Sequence, residues 1–193
     1  SGSWNEAKKR SIRDSRVVGT RVLVDALATL ENPPKTFISA SAIGFYGNRG
    51  DELLTEESAK GAGFFPEVCS AWEEEAQRAE KFARVVMLRI GVVLAEDGGA
   101  LEKMLTPFKF GVGGVIGSGE QYMPWVAIDD IIGIINFALE NDISGPINTT
   151  APNPATNREF TKTLGTVLNR PTIFPLPEFA VKLMFGEMGE TLL

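Results

Sequence analysis

Two nearly unbroken apolar strands, each delivered by a helix, constrain the fold of this chain more than any other feature. The first opens at Lys35-Thr36-Phe37-Ile38 and runs out into Ser39, Ala40, Ser41, Ala42, Ile43, Gly44, Phe45, Tyr46 and Gly47. The second occupies 84–94, from Arg84-Val85-Val86-Met87-Leu88-Arg89 to Leu94. Before the first, 4–30 reads as one long helix with Ile12, Val18, Val22, Leu23, Ala26, Leu27 and Leu30 on one face, stopped by Asn32-Pro33-Pro34. Between the strands, 66–82 reads as a second helix, with Val68, Trp72, Ala76 and Ala79 inward and Glu73-Glu74-Glu75 near its middle. Helix, strand, helix, strand with apolar strands is the rhythm of an α/β fold whose parallel sheet is covered on both faces. Ligands of such sheets lie beyond the carboxyl ends of the strands, where small side chains and hydroxyls give a flat ring access to the backbone. A buried strand that simply ends in a turn is the other reading of 35–47.

The totals narrow the chemistry. A chain of 193 residues fits one domain, or one domain plus an extension, and buries roughly 70% of its unfolded surface. Its single cysteine, Cys69, cannot form an internal disulfide, and there is no apolar run of transmembrane length and no signal-peptide pattern. A cytoplasmic, soluble protein is the expectation. The net charge is −6 with basic residues spread along the chain, which argues against nucleic acid and membrane as partners. Histidine is absent, so Ser-His-Asp and Cys-His catalysis and His-containing zinc sites are excluded, and no metal is expected. Chemistry is left to Ser, Tyr, Cys69, carboxylates, Lys, Arg or a cofactor.

The texture changes after Ala95. A turn at 97–99 precedes a short helix over 100–110 with Leu101, Met104, Leu105 and Phe108 apolar. The glycine-rich 111–119 is not a phosphate loop: G-x-G-x-x-G from Gly111 needs glycine where Ile116 stands, and a P-loop ending at Gly119 needs lysine where Glu120 stands. It reads as an irregular loop over a pocket or as a flexible linker. Residues 121–130 read as a strand feeding a helix over 131–139, capped by Asp129 or Asp130. A short strand at 148–151, a Thr156-x-x-Glu159 capping box opening a helix over 159–168, and an apolar helix over 179–185 complete the pattern.

Taken together, Arg13-Asp14-Ser15-Arg16-Val17-Val18-Gly19-Thr20, Ser39 through Gly47, Trp72-Glu73, Arg89 through Leu94, 111–119, Pro124-Trp125, Ala151-Pro152 with Thr156-Asn157, and Gly186-Glu187-Met188 cover nearly the whole chain in order. This set resembles the atypical, extended short-chain dehydrogenases/reductases, specifically the NAD-dependent epimerase/dehydratase-like "epimerase family" proteins. The resemblance implies a Rossmann-type doubly wound parallel sheet with a smaller carboxy-terminal substrate region. The division expected is 4–110 for the NAD(P)-binding part and 111–193 for the substrate part. Family members begin with a βαβ unit that carries a glycine-rich dinucleotide loop and continue beyond the Gly-Glu-Met segment, so the sequence reads as a fragment. Ala127 stands where relatives usually place histidine.

The wider superfamily pairs Tyr-x-x-x-Lys on the helix after the serine strand, and the positions matching it in order here are Cys69 and Glu73. A carboxylate one turn from a thiol raises the thiol pKa, the reverse of what the lysine does for the tyrosine. By resemblance the catalytic positions are Ser41, Cys69 and Glu73, although Cys69 also reads as a small buried residue beside Trp72. Cofactor contacts fall to Ser39, Ala40, Ser41, Arg89, Gly91, Val92 and Val93, and substrate contacts to Tyr46, Gly114 and Trp125. The cofactor implied is NADP(H), with NAD the other choice, and little binding is expected from this chain without the glycine-rich unit. Two functions stay open: an NADP(H)-dependent oxidoreductase or epimerase-like enzyme acting on a small molecule, and a non-catalytic NADP(H)-binding regulator on the same scaffold. Uncovered apolar sheet and helix surface predicts self-association.

Overall fold

The computed structural model describes residues 5–96 and 98–179, Lys103 through its backbone alone. Trp4, Asp97, the expected helix beyond Phe179 and the Gly186-Glu187-Met188 segment lie outside the described residues. In chain order the elements are α1 (Glu6–Ala28), β1 (Thr36–Ala42), α2 (Phe64–Gln77), β2 (Arg84–Ile90), β3 (Val92–Leu94), α3 (Gly99–Lys109), β4 (Tyr122–Met123), β5 (Trp125–Ala127), α4 (Ile128–Glu140), β6 (Gly145–Thr149), β7 (Ala155–Thr156) and α5 (Asn157–Val167). Two one-turn 3-10 helices, Ile43–Tyr46 and Arg78–Lys81, close β1 and α2.

Two compact units emerge. The first is Glu6–Gly91 with Asp129–Thr150. Its parallel sheet has the order β1-β2-β6, so β2 is central and β1 stands at the margin of the described strands. β2 alternates between two cores, as a strand covered on both faces must. Val85 and Met87 join Val24, Ala76 and Ala79 under α1 and α2, while Val86 and Leu88 join Ala138 and the isoleucines of α4 on the opposite face. This is a Rossmann-like α/β fold.

On α1 the inward residues are Val17 and Val24, whereas Val18, Val22, Leu23 and Leu30 of the expected face are exposed. Apolar residues at 17, 18, 22, 23, 24, 26 and 27 ring this helix almost completely. Its rotational phase is therefore set by packing against α2 rather than by its own periodicity.

The second unit comprises Val92–Ile128 and the chain from Ala151. The expected boundary at 110/111 falls inside it. The expected strand over 84–94 is two strands: β2 ends at Ile90, the Gly91 N–H donates to Thr149 O, and the Val92 N–H donates to Pro124 O. After Gly91 the chain changes partner, so β3 pairs with β5 instead of continuing the large sheet. The chain then returns to the first unit through α4 and β6. Pro124 divides the strand expected within 121–130 into β4 and β5, because proline offers no N–H to a continuous ladder. Asp129 and Asp130 sit inside the first turn of α4, facing its dipole, rather than ahead of it as caps. The capping box at Thr156 and Glu159 is formed as expected.

Candidate functional site

One rung of the large sheet places Ser41, Arg89 and Asn148 side by side on β1, β2 and β6. Along β2 the face that presents Val85 and Met87 to the α1–α2 core ends, at its carboxyl end, in a charged residue. An arginine inside an apolar strand requires a built partner. Helix α2 supplies it: Arg89 Nε and Nη2 donate to the two oxygens of Glu73, each at 2.9 Å, a bidentate pair with side chains 5% and 7% exposed.

The pair is the centre of a larger cluster. Ser41 Oγ donates to Glu73 Oε1 at 2.6 Å. Arg89 Nη1 donates to Tyr46 Oη at 2.8 Å and to Glu56 O at 3.1 Å. Tyr46 Oη donates to Asn148 Oδ1 at 2.6 Å, and the Asn148 N–H donates to Glu56 Oε1 at 2.7 Å. The Arg89 guanidinium lies 3.6 Å from the centre of the Phe45 ring, a cation–π contact. Burial works against the Arg89 charge, yet the hydrogen bonds to Glu73 and Tyr46 hold its pKa above the ordinary guanidinium value.

Local sequence explains how five segments reach one arginine. After β1 the 3-10 turn carries Phe45 and Tyr46 inward, and the loop from Gly47 to Gly61 strides across the strand ends before returning to α2. The Gly61 N–H donates to Phe45 O, and a Cβ at Gly61 would stand 2.2 Å from Tyr46 O, so only glycine permits this closure. Within the loop Arg49 ties Glu52 and Ala59 O together. Asn148 Nδ2 donates to Leu54 O at 3.4 Å.

Cys69 is buried one turn before Glu73. Burial, and then the charge of Glu73, push its thiol up to about 11. Burial is the larger cause, where the sequence reading had rested on Glu73. At neutral pH this residue is a thiol packed beneath the turn at Gly44.

The structure therefore joins Ser41, Glu73, Arg89 and Tyr46, with Cys69 beside them on α2, and adds Glu56, Asn148 and Phe45, which sequence reasoning missed. Arg89 is turned inward, and Tyr46 is buried at 3% with its hydroxyl bonded to Asn148 and Arg89. Ser39 is buried on the same side as Ser41, while Ala40 between them is exposed. Gly91 ends the first unit; Val92, Val93, Gly114 and Trp125 belong to the second. Trp125 is half-buried on β5, its residue paired with Val92. The 111–119 loop is packed: a Cβ at Gly114 would lie 1.7 Å from Phe174 O and one at Gly113 2.5 Å from the Phe108 ring. Its glycines admit neighbouring chain, and Ile116 bridges in parallel to Leu176. Among the described residues no group of three His, Cys, Asp or Glu is placed to hold a metal ion, and no helix is long and apolar enough to cross a membrane.

Comparison with known proteins agrees with this architecture. The family model described as NAD dependent epimerase/dehydratase matches residues 1–150. An epimerase family protein of Mycobacterium bovis is 43% identical over 189 residues, covering 97% of this chain and 62% of the relative. The mouse epimerase family protein SDR39U1 is 38% identical over 193 residues, covering 98% of this chain and 66% of its own length. The crystal structure of human epimerase family protein SDR39U1 (isoform 2) with NADPH matches the whole chain with a TM-score of 0.95 at 36% identity, this chain spanning 66% of that one. The chain thus spans less than two thirds of the relatives it matches, and it belongs to the NAD dependent epimerase/dehydratase family.

Proposed function

We propose that this chain carries the carboxyl-edge part of an NADP(H) site in an oxidoreductase or epimerase-like protein acting on a small molecule. The observation that carries the reading is the rung at Ser41, Arg89 and Asn148, which ends two parallel strands joined by a single helix at one edge of the sheet. The human relative at TM-score 0.95 was solved with NADPH, which supports the same cofactor here. Exposed Ala40 and the side-chain-free Gly91 let a nicotinamide ring approach the backbone at a strand end, where Ser39 and Ser41 are small and buried. The bound nicotinamide would supply the hydride. The packed glycines of 113 and 114 offer no cradle for a pyrophosphate, so that element is assigned to the part of the relatives that this chain does not match.

A second reading has its own support. With the Cys69 thiol pushed up to about 11 and Glu73 held on Arg89, the two positions that match the superfamily's proton-exchanging pair offer no such pair at neutral pH. This favours an NADP(H)-binding regulator.

NADPH titration of this chain, and of a fusion bearing the part of the Mycobacterium bovis relative that this chain does not match, tests the first statement. Saturable binding is expected in the fusion alone; low-micromolar binding by the 193-residue chain itself would place the phosphate site elsewhere. NADPH oxidation by the fusion across a panel of carbonyl compounds separates enzyme from regulator. Self-association belongs to the same proposal, since Val18, Val22 and Leu23 of α1 are exposed; a monomer at every concentration in sedimentation removes it.

A further inference from the structure

We infer that Glu73 is a positioning residue that turns Ser41 into a hydrogen-bond acceptor, so that this strand end takes a donating group, an alcohol O–H or amide N–H, in preference to a carbonyl oxygen. The inference rests on the reading that Ser41 faces the bound ligand.

It follows from counting protons. A serine hydroxyl has one proton and two lone pairs, and a carboxylate on an arginine can only accept. Ser41 is 2.6 Å from Glu73 Oε1, which also receives Arg89 Nε, so the Ser41 proton points at Glu73. The second hydroxyl of the cluster is committed in the same sense. Tyr46 receives Arg89 Nη1 and gives its proton to Asn148 Oδ1. The Asn148 amide orientation is fixed independently, because its Nδ2 faces Leu54 O, a group that can only accept. Donation therefore starts at the Arg89 cation, and both hydroxyl protons end on protein oxygens. What remains at Ser41, a residue 4% exposed, is lone pairs. To donate to a ligand carbonyl, Ser41 would have to leave a charge-assisted bond to a buried carboxylate, and that cost sets the preference.

A lysine at position 73 would leave the Ser41 proton free; the glutamate takes it.

The test uses the full chain and two probes of one skeleton, cyclohexanol and cyclohexanone. NMR of the protein should show a Ser41 hydroxyl proton in slow exchange, correlated with the Glu73 side chain. The alcohol should perturb Ser41 and Ala42 at about tenfold lower concentration than the ketone, the worth of one good hydrogen bond. In Glu73→Gln the side-chain amide can donate to Ser41, and the preference should shift toward the ketone. In Ser41→Ala, with circular dichroism unchanged, the two probes should become equal, which keeps the test alive if Glu73→Gln does not fold. Tighter ketone than alcohol binding in the unaltered protein, or a Ser41 hydroxyl proton not directed at Glu73, overturns the inference and leaves the ligand reading standing. A Ser41 proton on Glu73 with neither probe perturbing Ser41 overturns the ligand reading, and the inference with it.

Discussion

Two of the ion-paired glutamates on helix α2, Glu73 and Glu75, stand two residues apart and belong to different physical worlds. At the carboxyl end of the sheet Glu73 grips Arg89 with both oxygens, out of reach of water. On the α1–α2 surface Glu75, its own side chain 12% exposed, accepts from Arg21 at 2.9 Å and from Arg78 at 2.7 Å, and Arg78 reaches on to Asp25, so that here it is the arginines, both about half exposed, that stand in water. The surface ladder has the more ion pairs. It nevertheless matters less, because water and salt screen it and long side chains lose entropy to hold it. The buried pair adds little relative to an apolar pair of equal volume, yet the loss of one member strands the other in a medium that cannot solvate it.

The largest expected effect breaks the buried side. Glu73→Ala leaves Arg89 charged and Ser41 without its acceptor, and should cost about 3–5 kcal/mol in denaturant unfolding. The double variant Glu73→Met with Arg89→Met should be less damaging than Glu73→Ala alone, since no unpaired charge remains. A single-variant cost under about 1 kcal/mol would mean that water reaches Arg89, and the contrast with the surface would vanish.

Cys69 sharpens the comparison through pH. Its folded pKa, about 11, lies above the ordinary 9.0. Between those values the unfolded chain has lost the thiol proton and the folded chain keeps it, so stability falls as pH rises from about 9 to about 11. The loss is on the order of 2–3 kcal/mol across the window. Cys69→Ala removes this slope, so the difference between the two proteins isolates it from other titrating groups. Equal slopes would show the thiol to be solvated.

How much of this was legible beforehand depended on whether the signal was local. The helix–strand rhythm and the Thr156 capping box are written in consecutive residues, and both appear where expected. The break at Gly91 was not legible, because Ile90 before it and Val92 through Leu94 after it read as one apolar run, and only the arrival of Thr149 and Pro124 divides it. The phase of α1 was lost for the same reason, its apolar residues being too evenly spread. The Arg89 cluster left one usable sign, a charge inside an apolar strand, which demands an acidic partner. Glu73 on the connecting helix was within view. Glu56 and Asn148 were not, since they meet Arg89 only after the 47–61 loop has closed and β6 has paired.

An exposed contact can still matter when its geometry is local. Thr156 Oγ1 accepts from the Glu159 N–H, and Glu159 Oε2 accepts from the Thr156 N–H at 2.8 Å, satisfying donors at the start of α5 that have no helical partner. Thr156→Ala should cost about 1 kcal/mol. It should do so at any ionic strength, because the orphaned group is a neutral N–H; strong salt dependence would show that the carboxylate charge, not the cap, carries the effect.

The smallest effect is expected where the ion pairs are most numerous. Hydrogen bonding from Arg21 is the main cause that holds the Glu75 carboxyl below its ordinary value of 4.5. A carboxyl whose folded pKa is depressed contributes stability above its unfolded pKa and loses it as pH falls through the folded one. The difference between the unaltered protein and Glu75→Gln should therefore be small but present at pH 7 and low salt. It should fade below pH 4.5, and should also shrink at about 1 M salt, where the Debye length is near 3 Å. If the difference survives both conditions and rivals that of Glu73→Ala, the exposure of the arginine partners is not what separates the two glutamates, and the loss at residue 73 would have to come from packing.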